Sequence, residues 1–403
     1  MTTQSASGPD RLWPWYSDDI NDELTKVLRQ GDLGAVDMHP AISKLERAFE
    51  ALVSEEGSRS FAAFYSSGTS ALLAALGALD LPSNSEVIVP DVTFRGTATP
   101  CCVMGLSVRF AKTDELGGLC PQAVAEALSD DTRAVIVNHQ WGVPADIDTL
   151  CDLARTRGLM VIEDCSHAHG GVYRGRKVGA FGDIAVFSCG TTKLVSGGLG
   201  GVLVTRDRLL YERAIIFGQA KHRVAEEISD PRLDAIGRLG VGLNLRGSPI
   251  SATLAFDHLS KLGQIIEDKN ANLEQLTEIV AHRFPALAPL PRREGWETGT
   301  WYKRPFRYSG PLRTAELVKI AVSCGLRVEE IPHDLPDQFE AAERASALVT
   351  PNCVTAFRHS VKSRSNLRDY ILFDTRDCYG ESFPLQALDA KLSRLAIEHA
   401  QRL

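Results

Sequence analysis

A lysine at the end of an apolar run is the most chemically suggestive residue of this sequence. Lys193 follows the apolar run Ile184–Phe187 and a short stretch of small and polar residues, and glycines occupy positions 197, 198, 200 and 201. Those glycines allow tight turns and close backbone approach. An amine held there would be partly desolvated, which lowers its pKa and favours formation of a Schiff base. The alternative is an ordinary solvated surface lysine.

A second candidate is an acid at the end of another apolar run. Asp164 follows the stretch Leu159–Ile162 and precedes a loop that contains His167 and His169. Ligands of open α/β sheets bind beyond the carboxyl ends of the strands, where this carboxylate could pair with a protonated ring nitrogen of a cofactor. The alternatives are helix capping by Asp164 and ordinary hydrogen bonds for the histidines. A metal site is less expected, since adjacent loop residues rarely complete a coordination shell.

A third candidate is a turn of small residues in the segment Tyr65–Leu72. It places Gly68, Thr69 and Ser70 at the start of a predicted helix rich in Ala and Leu. Free amides at a helix N-terminus, together with hydroxyl groups, can hold a phosphate. The alternative is that Ser67 or Thr69 only caps the helix.

The elements that must position these residues follow an alternating pattern. Short runs that are apolar on both faces predict strands, and amphipathic or Ala-rich stretches predict helices between them. The predicted strands are Phe61–Tyr65, Val87–Val89, Val108–Ala111, Ala134–Val137, Met160–Ile162, Ile184–Phe187 and Val202–Val204. The predicted helices include an amphipathic helix from Ala41, then Thr69–Leu79, Gln122–Leu128 and Ile147–Arg157. This alternation predicts an α/β fold with a mostly parallel sheet and helices on both faces.

Length and composition limit the class of protein. The chain has 403 residues, of which 44% are hydrophobic, and a formal charge of -7, which does not favour nucleic-acid binding. No run of about 18 apolar residues predicts a membrane helix, and the first ten residues lack the features of a secretory signal. The nine cysteines include no CxxC pair, so reduced thiols in the cytoplasm are expected.

The chain is expected to contain a tail and two domains. Residues 1–12 are polar and predict a flexible N-terminal tail. Residues 13–262 carry the strand–helix alternation and predict a large domain that binds the cofactor. From about Gly263 the alternation weakens: a long polar helix through Leu276 precedes the Pro-rich stretch Phe284–Arg292. A smaller α+β domain is therefore predicted over residues 263–403.

Together these motifs resemble the DegT/DnrJ/EryC1/StrS family of pyridoxal 5'-phosphate (PLP)-dependent sugar and aminocyclitol aminotransferases. The segments that carry the resemblance are Leu12–Pro14, Ser67–Leu72, Pro90–Phe94, Gly142–Asp146, Glu163–Gly170, Phe187–Lys193 and Gly242–Arg246. The resemblance fades after about Lys261. It implies an aspartate aminotransferase-like fold of PLP fold type I.

The resemblance also implies roles for three residues as the catalytic set. Lys193 resembles the lysine that forms the Schiff base with PLP and moves the substrate proton. Asp164 resembles the carboxylate that keeps the pyridine nitrogen protonated. His167 stands where the family often has glutamine near the cofactor 3-hydroxyl, and its ring could serve there as a donor.

The remaining cofactor contacts are implied in the same way. Phe94 matches an aromatic residue that stacks on the pyridine face. Gly68, Thr69 and Ser188 match phosphate contacts. Asn244 matches a residue that reaches the phosphate from the neighbouring subunit, which implies a homodimer with shared sites.

The expected reaction is amino transfer from an amino acid, glutamate or glutamine, to a keto-sugar or keto-cyclitol in the biosynthesis of amino sugars or antibiotics. Retention of Lys193 argues against the dehydratase branch of the family, which carries histidine there. The sequence departs from the family at Leu199, where an acid is usual, and at Gly247–Pro249. Elimination, dehydration or oxidation with the same cofactor, or a regulatory protein that only holds PLP, therefore remain alternatives.

Overall fold

The structure is a computed structural model. It describes residues 13–31, 33–34, 38–55, 57–219, 221–331, 335–336, 338, 367, 369–376, 378 and 384–402. The predicted flexible tail over residues 1–12 lies outside the described residues.

Fourteen strands are formed within these ranges. They are β1 Phe61–Tyr65, β2 Glu86–Pro90, β3 Ser107–Ala111, β4 Thr132–Asn138, β5 Met160–Asp164, β6 Val172–Tyr173, β7 Arg176–Lys177, β8 Ile184–Ser188, β9 Gly201–Thr205, β10 Leu287–Pro289, β11 Trp296–Thr298, β12 Lys303–Tyr308, β13 Val328–Glu330 and β14 Tyr370–Asp374.

The helices of the described ranges separate several of the first strands, and five of them follow β9 before the next strand begins. They are α1 Ile20–Gln30, α2 Pro40–Val53, α3 Gly68–Leu79, α4 Thr99–Val103, α5 Pro121–Ala127, α6 Ile147–Arg157, α7 Arg208–Gly218, α8 Lys221–Glu227, α9 Pro231–Gly237, α10 Pro249–Ser260, α11 Leu262–Arg283, α12 Thr314–Ser323 and α13 Leu385–Ala400.

A seven-stranded central sheet has the order β1-β9-β8-β5-β4-β2-β3. The pairs β8–β5, β5–β4, β4–β2 and β2–β3 are parallel, whereas β9 is antiparallel to both β1 and β8. All seven predicted strands lie in this sheet. The predicted fold class, a mostly parallel sheet in an α/β protein, is therefore confirmed.

Both faces of the central sheet are buried, as its apolar strands predict. Alternate residues of β8 show this: Ile184 and Val186 pack in the core that contains α3 and α7, whereas Ala185 and Phe187 pack in the core that contains α2 and α10. Side chains that alternate along a strand point to opposite faces, so a strand covered on both sides must be apolar throughout.

The antiparallel strand β9 places the lysine loop. Ser188 at the end of β8 pairs with Gly201 at the start of β9. The connection between them, residues 189–200, therefore lies at the edge where the parallel strands end. Lys193 is in this connection, and its backbone N–H donates to the Gly190 carbonyl at 2.9 Å.

The C-terminal part forms a second sheet with the antiparallel order β10-β12-β14-β13. Helix α11 continues to Arg283, seven residues beyond the predicted limit at Leu276. Strand β11 pairs instead with β6, which belongs to the first part of the chain. The division into domains at residues 262 and 263 stays a prediction.

Candidate active site

A cavity of about 430 Å³ opens at the carboxyl ends of the central strands. It lies where β4, β5 and β8 end and where α3 begins. Seven of the eight predicted cofactor residues line it: Gly68, Thr69, Phe94, Asp164, His167, Ser188 and Lys193. The structure therefore brings these residues together, as the order of motifs predicted, while the role of each stays a prediction.

The amine of Lys193 faces this cavity from the loop after β8. Its Nζ lies 4.0 Å from the centroid of the Tyr302 ring. Burial lowers the pKa of the amine to about 8; the nearby charge of Asp164 opposes this shift and that of Lys303 adds to it. A substantial fraction of a lysine with this pKa is neutral near neutral pH, and the neutral amine is the nucleophilic form.

The carboxylate of Asp164 ends β5 and is 8% exposed. Its Oδ2 accepts a hydrogen bond from the Thr97 hydroxyl at 2.9 Å, and its Oδ1 accepts one from the Ser166 backbone N–H at 3.2 Å. Both donors are neutral, so a cation in the cavity can still pair with this side chain. A protonated ring nitrogen is a suitable partner.

A buried hydrogen-bond network holds the strand that carries Asp164. His139 Nε2 lies 3.1 Å from Glu163 Oε2, and Glu163 also accepts backbone N–H groups of Gly179, Phe181 and Gly182 at 2.6–2.9 Å. His139 and Glu163 come within 4.8 Å of Cys165 Sγ, a spacing that a metal ion could use. The hydrogen bonds already account for this Glu163 carboxylate, so we assign it a structural role.

The N-terminus of α3 lies directly against the end of β8. A Cβ on Gly68 would come within 2.9 Å of Ser188 Cβ, so glycine is required for this close approach. Ser67 caps the helix by accepting the Ser70 N–H at 3.0 Å. The hydroxyls of Thr69 and Ser188 line the cavity beside this helix start. A helix N-terminus with adjacent hydroxyl groups fits a phosphate.

Aromatic rings form two walls of the cavity. Phe94 is 41% exposed, and Gly96 leaves room for its ring, because a Cβ at position 96 would come within 2.8 Å of the ring. On another wall the His167 ring stacks on Tyr302, with centroids 4.0 Å apart and an interplanar angle of 10°. The backbone N–H of Trp141 donates to His167 Nδ1 at 3.4 Å. In the neutral ring Nε2 then carries the proton and can donate it to a ligand oxygen.

The cavity residues fit PLP in their chemistry. The start of α3 could bind the phosphate of PLP, and Asp164 could pair with the ring nitrogen. Phe94 could stack on the flat ring, and Lys193 could react with the aldehyde. The wall also contains the buried Oδ1 of Asn138, which has no hydrogen-bond partner among the described residues. A ligand donor would satisfy this acceptor.

Asn244 and Leu199, two residues discussed in the sequence analysis, lie in exposed positions. Asn244 is exposed, does not line the cavity of its own chain, and accepts a hydrogen bond from Arg246 Nε at 2.9 Å. Its predicted contact with the phosphate of a neighbouring subunit stays a prediction. Leu199, at the position where the family usually has an acid, lines the cavity and is 69% exposed.

Sequence reasoning missed several cavity residues: Thr97, Asn138, His139, Tyr302, Lys303 and Glu329. Asn138 could have been found, since it ends the buried strand β4 at the same sheet edge as Asp164. Tyr302 and Lys303 carried no such signal, because they precede or begin a strand of the C-terminal sheet that lies far from the motifs in sequence.

Comparison with known proteins identifies the family of the chain. The DegT/DnrJ/EryC1/StrS aminotransferase family matches residues 16–319. An L-glutamine:2-deoxy-scyllo-inosose aminotransferase of Streptomyces kanamyceticus is 33% identical over 77% of this chain and 72% of its own.

Two solved structures share the fold. A 3-amino-5-hydroxybenzoic acid synthase has a TM-score of 0.79, with 23% identity over 97% of this chain and 98% of its own. A GDP-4-keto-6-deoxymannose-3-dehydratase with a trapped PLP-glutamate adduct has a TM-score of 0.77, with 20% identity over 96% and 99% of the two chains.

The fold and the cavity define a PLP-dependent aminotransferase of fold type I. The chain belongs to the DegT/DnrJ/EryC1/StrS aminotransferase family, so the resemblance seen in the sequence is confirmed. Within the described ranges, none of the helices combines the length and the apolar character that crossing a membrane requires.

Proposed function

We propose that this aminotransferase moves the amino group of glutamine or glutamate to a keto-cyclitol or keto-sugar. The observation that carries the proposal is the single cavity in which Lys193, Asp164 and the start of α3 meet. The relative from Streptomyces kanamyceticus supports the choice of donor and acceptor, because its name gives glutamine and a scyllo-inosose.

The residues of the chain divide the chemistry between them. PLP, when bound, supplies an electron sink for the bond broken at the substrate α-carbon. Lys193 would take the proton from that carbon and pass it to the cofactor, which the lowered pKa of its amine allows near neutral pH. Asp164 would hold the proton on the ring nitrogen, and the start of α3 would hold the phosphate. Phe94 would cover one face of the ring and exclude water from it.

The polar side chains of the cavity suit an acceptor rich in hydroxyl groups. Thr93, Asn138, Gln140 and Thr192 line the cavity. Hydroxyl and amide groups of this kind donate and accept hydrogen bonds, and a cyclitol or sugar offers hydroxyls that do both. These side chains support a polyol acceptor in preference to an apolar one.

We also propose a homodimer with shared sites. Asn244 follows an exposed apolar segment in which Leu239, Val241 and Leu243 are 74%, 69% and 46% exposed. A second copy of the chain would remove these side chains from water and bring Asn244 toward the neighbouring cavity. The cytoplasm is the proposed compartment, since no disulfide joins the eight cysteines of the described ranges.

The first half of the reaction tests the proposal. The holoenzyme is mixed with glutamine or glutamate without an acceptor, and the keto acid of the donor is measured. We expect release of up to one keto acid per active site and a matching change in the visible absorption of the cofactor. A fully loaded protein that releases no keto acid from any amino donor would refute transamination and favour elimination, oxidation or a regulatory role.

Mixing two inactive variants tests the shared site. Lys193→Ala and Asn244→Ala chains are refolded together, so that one site of each heterodimer receives both intact residues and the other receives neither. We expect activity to return in the mixture. A monomer that binds PLP tightly, or a mixture no more active than its components, would contradict the shared site.

A further inference from the structure

A second lysine lines the active-site cavity besides Lys193. Lys303 is the first residue of β12, and its side chain is 12% exposed. Among the described residues that line the cavity, the lysines are Lys193 and Lys303, and none is an arginine. Once Lys193 is engaged by the cofactor, Lys303 is the lysine that remains for an anionic group of a substrate.

The contacts of Lys303 with acidic side chains are long. Its Nζ lies 3.4 Å from Glu329 Oε1 and 3.9 Å from Asp374 Oδ2. Direct hydrogen bonds between ammonium and carboxylate groups are about 2.7–2.9 Å long. Asp374 also accepts the Arg376 Nε–H at 2.7 and 3.0 Å, and the Glu329 side chain is 47% exposed. Lys303 is therefore held loosely, and a better carboxylate partner can displace these contacts.

The position of Lys303 suits an amino acid held at Lys193. The Nζ atoms of Lys193 and Lys303 lie 4.0 and 5.7 Å from the centroid of the same ring, that of Tyr302. An amino acid carries its α-carboxylate on the carbon that bears its amine. When that amine occupies the place of the Lys193 amine, the carboxylate lies in the same cavity as Lys303, whose flexible side chain can turn toward it.

We infer that Lys303 binds the α-carboxylate of the amino donor and returns to Glu329 when the neutral keto acceptor occupies the cavity. The inference rests on the proposed function and deepens it. An aminotransferase must accept a charged donor and an uncharged acceptor in one site. A cation that exchanges between a substrate carboxylate and a half-exposed glutamate leaves no uncompensated charge in either state.

The test uses two ligands that differ only at the α-carboxylate. The first ligand is α-methyl-L-glutamine, which lacks the hydrogen removed in transamination and therefore does not react further. The second ligand is the derivative in which the α-carboxylate of this compound is replaced by a carboxamide, so that the negative charge is also absent. Their affinities for the holoenzyme are measured by calorimetry for the wild type and for Lys303→Met. We expect the variant to lose about 10- to 100-fold in affinity for the carboxylate and less than about 3-fold for the carboxamide, as loss of one charge-assisted hydrogen bond predicts.

Two further variants sharpen the result. Lys303→Arg keeps the cation and should retain preference for the carboxylate over the carboxamide. Lys319→Met removes an exposed lysine of α12 and should bind both ligands as the wild type does. Equal losses for both ligands in Lys303→Met, or a wild type that does not distinguish them, would overturn the inference. A protein that distinguishes the ligands through Lys303 but releases no keto acid from glutamine would instead refute the proposed function alone.

Discussion

The contact between Gly68 and Ser188 allows a quantitative test of the cofactor site. An alanine at position 68 would place its Cβ 2.9 Å from Ser188 Cβ, 3.2 Å from Ser188 Cα and 3.3 Å from Ser188 Oγ. Carbon atoms pack best at about 3.5–4.0 Å, so the start of α3 must move away from the end of β8. Overpacking of this kind costs about 1–3 kcal/mol.

That displacement should weaken PLP binding, because the start of α3 and the Ser188 hydroxyl are expected to hold the phosphate together. When this cost of about 1–3 kcal/mol raises the free energy of the PLP-bound protein relative to the apoenzyme, Gly68→Ala lowers PLP affinity by about 5- to 150-fold. The assay is titration of the apoenzyme with PLP, followed by its absorption, with urea unfolding measured in parallel to detect any loss of stability of the fold itself.

Gly263→Ala is a control outside the cavity. Gly263 lies in α11, and a Cβ there would meet nothing within 4 Å, so PLP affinity should stay within about 2-fold of the wild type. In the Gly68→Ala background, Ser188→Gly removes the clashing Cβ and should recover stability. A Gly68→Ala variant that binds PLP as tightly as the wild type would refute the assignment of the α3 start to the phosphate.

Three other perturbations have defined outcomes. Asp164→Asn should still attach PLP at Lys193 but release keto acid from glutamine about 100-fold or more slowly, because the ring nitrogen loses its charged partner; a rate near the wild type would return Asp164 to a capping role. The rate at which apoenzyme attaches PLP should rise about tenfold per pH unit from pH 6 to 8 and then level off, following the neutral amine of Lys193, whose pKa is lowered to about 8; a flat profile would contradict this. Burial lowers the pKa of Lys269 from 10.5 to about 7 in the folded chain. Between these two pH values the lysine is protonated in the unfolded chain but mostly neutral in the folded chain, so the free energy of unfolding rises with pH. Lys269→Met should reduce that rise, measured by urea unfolding, by about 1.4 kcal/mol per pH unit, and an unchanged slope would contradict the shift.

The central sheet could be predicted almost completely from the sequence. Each of its strands is a short apolar run, because a strand that is covered on both faces is apolar at nearly every position. The direction of β9 could not be predicted, since an apolar run such as Val202–Val204 reads the same for a parallel or an antiparallel strand. It follows from the pairing of Ser188 with Gly201, which only the folded chain shows.

The site could be predicted in part, for a physical reason. Lys193 and Asp164 each follow an apolar strand at the edge where ligands bind, so local pattern alone marks them. Tyr302 and Lys303 reach the same cavity from the second sheet, through a tertiary contact more than 100 residues along the chain. The close approach of Gly68 to Ser188 is likewise a property of packing, although the glycine itself was visible in the motif.

The most direct test of the account is the identity of the lysine that carries the cofactor. The PLP-loaded protein is reduced with borohydride, digested, and its labelled peptide identified by mass spectrometry. We expect one labelled residue, Lys193, and no label in Lys193→Ala treated in the same way. Labelling of Lys303, of Lys269 or of a lysine outside the cavity, with Lys193 unmodified, would contradict it.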